Sequence, residues 1–142
     1  MSFFTSLAIS TSGMTSERLR VDLASANLAN ANSTSTPEGG PYRRRDAVIG
    51  SVPQFGAFGD RLERAVQAVQ VRRIATDDSP PREIFQPSHP DADENGMLRL
   101  PNVQVVEETV NLLNAQRSFE ANVAAIESSR SMAERALQIG KQ

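Results

Sequence analysis

Apolar side chains recur every seven residues near the start of the chain, at Leu7, Met14, Val21 and Leu28. Leu19 and Leu23 widen that stripe on an adjacent face, while Glu17, Arg18, Arg20 and Asp22 fall largely off it. Seven residues are two helical turns, so the spacing predicts an amphipathic α-helix over the first thirty or so residues. The stripe is weak before Met14, where Ser, Thr and Gly13 dominate. That part is expected to fray, or to order only against a partner. Asn30, Asn32, Ser33 and Thr34 lead into Pro37, a run of turn-forming residues that ends the helix.

The second periodic segment is stronger. Val105, Leu112, Phe119, Ile126 and Ala133 form a heptad column, and Thr109, Gln116, Val123, Arg130 and Leu137 follow each by four residues. The pattern predicts a helix from Val103 to about Ile139. Asn102 is the expected N-cap, Glu107 and Glu108 sit near the positive end of the helix dipole, and Gly140 closes the pattern. Spacings such as Arg117–Glu120, Glu127–Arg130 and Arg130–Glu134 suit ion pairs on a solvated face. Such a helix is about 55 Å long at 1.5 Å per residue. A compact globule of this chain length is only about 37 Å across. The helix must therefore overhang, pairing with the N-terminal helix, with another chain, or with both. Ala115, Ser129 and Ala133 would let a partner helix approach closely.

Between these ends the period changes. All eight prolines lie between Pro37 and Pro101, and the segments on either side contain none. Arg44–Ile49 and Val66–Ile74 are expected strands, with a loop at Pro53–Gly59 between them. Glu83–Phe85 and Met97–Leu100 are shorter ones, and Asn95-Gly96 signals a hairpin turn because both residues tolerate positive φ. The expected fold is mainly α with a small β module: long N- and C-terminal helices paired in a coiled-coil-like bundle, with short β-hairpins and loops between. The divisions are residues 1–36, 37–101 and 102–142.

Composition narrows the function classes. The chain has 142 residues, which fits one domain, and no cysteine, which excludes disulfides, thiolate metal sites and a thiol nucleophile. Fifteen basic residues against seventeen acidic give a net charge of -2, so no positive field draws nucleic acid or an anionic membrane. Hydrophobic residues are 39% of the chain and aromatics 5%, thin material for one large core. No window approaches the roughly 20 apolar residues of a membrane span, and the start lacks the basic and apolar regions of a secretory signal.

Three chemical readings arise in the middle segment. Asp91, Asp93, Asn95 and Gly96 match the first half of an EF-hand loop, but Asn102 stands where the bidentate Glu is required, and Pro87 and Pro90 obstruct the entering helix. An Asx-rich turn explains the same letters. His89 is the only histidine, so any His-dependent acid–base mechanism rests on it, yet nothing around it describes a pocket. Tyr42-Arg43-Arg44-Arg45 could hold phosphate or RNA, but in an acidic chain such arginines more often meet carboxylates. The expectation is no enzyme, no cofactor and no metal. A calcium-binding EF-hand-like protein and a free-standing coiled-coil adaptor are the alternatives.

Ser12-Gly13-Met14, Arg20-Val21-Asp22 and Ala26-Asn27-Leu28-Ala29-Asn30-Ala31-Asn32 resemble the N-terminal signature of bacterial flagellar rod and hook proteins. Further strings narrow the resemblance: Gly39-Gly40-Pro41-Tyr42-Arg43-Arg44, Asp78-Ser79-Pro80-Pro81-Arg82, Pro87-Ser88-His89-Pro90-Asp91-Ala92-Asp93 and Arg117-Ser118-Phe119-Glu120-Ala121-Asn122. Together with the Ala136–Gly140 end they look like the FlgC family of proximal rod proteins, over nearly the whole chain. The resemblance implies a structural subunit of the flagellar basal body, in the periplasmic rod that transmits motor torque. It implies other rod proteins and copies of the same chain as partners, and delivery through the flagellar type III export apparatus without a cleaved signal. The expected assembly surface comprises Leu7, Met14, Val21 and Leu28, then Val105, Leu112, Phe119, Ile126 and Ala133, with Arg43, Arg44, His89 and Asp91 as contacts from the module.

Overall fold

A computed structural model describes residues 3–53 and 67–140. Helix α1 runs Phe3–Ala29 and helix α2 runs Val105–Ile139, with strands β1 (Arg45–Pro53), β2 (Gln67–Thr76), β3 (Arg82–Phe85) and β4 (Met97–Leu100) between them. The chain is thus two long helices around a small antiparallel module. Residues 54–59 of the expected loop lie outside the described residues.

Among the described residues α1 is continuous from Phe3, so its Ser/Thr-rich first half is helical where fraying was expected. The hydroxyls explain how. Thr11 Oγ1 donates to the Leu7 carbonyl at 2.8 Å, Ser12 Oγ to Ile9 at 2.7 Å and Ser16 Oγ to Ser12 at 3.0 Å. Each polar side chain is satisfied inside its own helix. Gly13 and Ser16 are also buried.

The helices pair antiparallel: Asn27 meets Glu108, and a Cβ added to Gly13 would lie 3.1 Å from the Asn122 side chain. Packing differs from the expected stripe in α1. The buried residues there are Gly13, Ser16, Ala24 and Asn27. The column Leu7, Met14, Val21 and Leu28 sits half-buried beside them. Residues 13 and 27 are each one position ahead of 14 and 28, about 100° round the axis. Small residues let the backbones approach, and larger neighbours flank the contact. In α2 the buried residues are Glu108 and Ala115, the latter 0% exposed.

The start of α2 also departs from expectation. Its N-cap is Gln104, with no capping hydrogen bond from the side chain, so Asn102 is not the cap. Val103, 2% exposed, extends the buried run Leu98, Leu100 and Pro101 instead. Burial of that apolar segment, rather than a polar cap, fixes where the chain enters the helix. At the far end Gly140 takes an ordinary right-handed conformation.

Strands β1 and β2 form one two-stranded sheet, β3 and β4 another. The first has a register shift between Val48 and Ile49. It lies along α1: Asn27 bonds the backbone of Arg45 at one end, and Ser12 Oγ accepts from Val69 N at 3.1 Å at the other. In the second, Phe85 pairs with Met97. Gly96 has φ 75°, but Asn95 does not take positive φ, so the tight two-residue turn does not form. Asp93 organises a longer loop, its Oδ1 accepting from Asn95 N at 2.9 Å and Met97 N at 2.8 Å.

Candidate functional site

The root of the β module meets the helix pair in a buried polar cluster. Asn27, at the end of α1, is 1% exposed and Glu108, in the first turn of α2, is 2% exposed. Asn27 Nδ2 donates to the Arg45 carbonyl at 2.8 Å and to Glu108 Oε2 at 2.9 Å. Its Oδ1 accepts from Tyr42 Oη and from Arg45 N, both at 3.0 Å. An amide side chain has four hydrogen-bonding positions suited to this, and all are used. Glu108 Oε1 accepts from Arg44 Nε at 2.7 Å.

Electrostatics follow that geometry. Partial burial works against the Arg44 charge, but the hydrogen bond and charge of Glu108, with Asp46 behind them, outweigh it and hold its pKa above the usual range. Burial likewise raises the Tyr42 phenol, opposed by the nearby Arg45 charge and reinforced by Glu108. The module's next turn is organised by Asp77, which accepts from Ser79 N at 2.9 Å, and the Ser79 hydrogen bonds lower its pKa.

Each arginine of the Tyr42–Arg45 run has a partner within the chain. Arg43 pairs with Asp78 at 3.0 Å across an exposed surface, Arg44 with buried Glu108, and Arg45 lies 5.9 Å from the centre of the Tyr42 ring. An adjoining groove of about 300 Å³ is lined by Tyr42, Arg43, Arg44 and Arg99 but also by Asp77 and Asp78. Its charges are mixed, which does not suit a polyanion.

His89 and Asp91 serve the long β3–β4 loop. His89 Nδ1 accepts from Asp91 N at 3.1 Å, and Thr34 Oγ1 donates to Asp91 Oδ2 at 2.6 Å, tying that loop to the turn after α1. Asp91 and Asp93 thus shape turns, and nothing in their geometry supports the EF-hand alternative. The surface pairs on α2 reduce, among the described residues, to Arg130 with Glu134 at 2.8 Å.

The expected assembly residues do not form one patch. Leu112, Phe119, Ile126 and Ala133 lie half-buried along the α1 contact, and Val105 is 54% exposed at the start of α2. A second stripe, which heptad reading alone passed over, consists of Val106, Val110 and Leu113, exposed by 79%, 50% and 48%. Their spacing of four and three residues is the signal that identifies it. It falls on the side of α2 turned away from α1, whereas Glu108 and Ala115 face α1. Large apolar side chains are also exposed at the opposite end of the pair, at Phe4, Met132, Leu137 and Ile139. Among the described residues, no helix is long and apolar enough to cross a membrane.

Comparison with known proteins bears on these surfaces. Residues 94–139, which contain β4 and α2, match the family "Flagellar basal body rod FlgEFG protein C-terminal". The chain is 40% identical to a protein of Borreliella burgdorferi named flagellar basal-body rod protein FlgC, over 98% of both chains. It is 34% identical to the protein of that name from Yersinia enterocolitica, covering 99% of this chain and all of the relative. For the one from Bacillus subtilis the identity is 36%, with the same coverage.

Proposed function

Because the chain belongs to the FlgC family of flagellar basal-body rod proteins, we propose that it builds the rod through the faces its own fold leaves uncovered. It is a structural subunit of the basal-body rod, not an enzyme, and it assembles with other rod components. One observation carries the finer reading. The contact between α1 and α2 buries glycine, serine, alanine and asparagine, while Val106, Val110, Leu113, Met132, Leu137 and Ile139 stay exposed. Such a helix pair has an unfinished apolar surface at each end of α2, and exposed apolar patches mark interaction sites.

Neighbouring subunits, including further copies of this chain, would cover the outer stripe of α2 and the half-buried columns beside the seam. Leu7, Met14, Val21 and Leu28 on α1, with Leu112, Phe119, Ile126 and Ala133 on α2, are then shared between the internal contact and its neighbours. Arg43, His89 and Asp91 offer contacts from the module; Arg44 acts inside the chain. Bundled helices spread torque over many small contacts instead of a single one. Export through the flagellar type III apparatus and residence of the rod in the periplasm complete the proposal.

Electron microscopy of basal bodies from a strain lacking the chain tests it. The expected result is a membrane ring without a rod. Complete rods in that strain would overturn the assignment.

A further inference from the structure

The polar cluster at the module root has a consequence beyond assembly through helices. Its bonds join three segments distant in sequence: the end of α1, the Tyr42–Arg45 run entering β1, and the first turn of α2. Three of the four hydrogen bonds of Asn27 go to Tyr42 or to the backbone of Arg45. Among the described residues, the one cation bonded to Glu108 is Arg44, from the same run. Remove that run and the near end of the helix pair would bury a carboxylate without its cation and an amide with one partner. Both are unfavourable for side chains buried as deeply as Asn27 and Glu108. Remove the helix pair and the Arg45 N–H and C=O lose their Asn27 partners.

The far end of the pair is built differently. Gly13 opposite Asn122 and Asn27 opposite Glu108 set a register that places Ile9 near Ile126 and Phe3 near Met132. There the described residues show no hydrogen bond or ion pair between the helices.

We infer that the Asn27–Glu108–Arg44–Tyr42 cluster is a latch, which makes closure of the near half of the helix pair conditional on docking of the Tyr42–Arg45 run. Module and near helices open as one unit, while the far ends open separately at lower cost. Proteins divide into cooperative units of this kind. Resting on the assembly reading above, the latch leaves the far ends free to rearrange against neighbours while the module keeps a fixed orientation.

Hydrogen exchange of the full-length chain, read by peptide mass, tests the latch. In Arg44→Met, exchange should quicken by about a hundredfold, the scale of an uncompensated buried charge. It should do so by a common factor in Ala24–Ala29, Glu108–Leu112 and the β1–β2 strands, with Phe3–Ile9 and Ile126–Met132 little changed. The double variant Arg44→Met/Glu108→Gln, which removes the stranded charge, should recover most of the protection. Should Arg44→Met fail to fold, Glu108→Gln alone reports the same coupling more gently. Helix exchange that quickens while β1–β2 stays at the original rate would overturn the latch. So would a uniform rise along all of α1. Neither result would disturb the rod assignment, which the microscopy reads independently.

Discussion

Asn27 shows how one residue can tie together segments that are far apart in sequence. In a helix interior it has mediocre propensity, yet here its amide is buried and fully bonded. Its partner Tyr42 is the only tyrosine in a chain without tryptophan, and so reports on the cluster without interference. Burial holds its phenol above the ordinary tyrosine pKa, about 10 in model peptides. A group whose folded pKa is raised contributes stability that is complete below the unfolded pKa and is lost as pH rises through the folded one. The contribution of Tyr42 to the cluster should therefore be lost only above about pH 10. Phenolate absorbance during alkaline titration should show a higher midpoint for the folded chain than for the same chain in denaturant; equal midpoints would contradict the burial. The composition of this cluster was not legible beforehand. Asn27 sits in a string read as a family signature, and Glu108 looked like a dipole-stabilising acid on a helix start. Only their contact, 81 residues apart, gives them a shared role.

Among elements, the two helices differ in how far their patterns could be read. In α2 the heptad column from Leu112 to Ala133 does lie along the helix contact, because small Ala115 beside it admits the partner. In α1 the apolar column is displaced by about 100° from the buried face. The reason is that Gly13 and Ser16, which look like weak points by propensity, are where the helices come closest. Periodicity finds large apolar side chains; close packing between helices selects small ones. Among the described residues the strands were legible in number and order, but the form of the Asn95-Gly96 turn was not, since Asp93 accepts from two backbone N–H groups across it. The outer stripe of α2 carries its own prediction. Val110→Asp with Leu113→Asp should cost the isolated chain only about 1–2 kcal/mol, since each side chain is already half exposed. The same pair should abolish rod assembly and motility. Normal swimming with that variant would rule the stripe out as an assembly surface.

As a whole molecule the chain is a helix pair with a module lying along α1 between Ser12 and Asn27, and its buried apolar residues are few and mostly small: Ala24, Ala31, Ala68, Leu98, Leu100, Val103 and Ala115 among the described residues. A chain whose larger apolar groups await neighbours should sediment largely as a monomer when purified, with rapid exchange at the far ends of both helices. A tight, fully protected dimer would instead favour a free-standing coiled-coil adaptor. The distribution of prolines and the two heptad columns were enough to establish helices at both ends, a strand-forming middle and a long α2, because backbone restriction and periodicity are local properties. The family was legible too, since its motifs are contiguous strings. Which face of α1 is buried, that Arg44 turns inward, and that module and helices meet through a buried carboxylate were decided by tertiary structure alone. Each depends on a partner supplied from elsewhere in the chain, and no local pattern records which partner arrives.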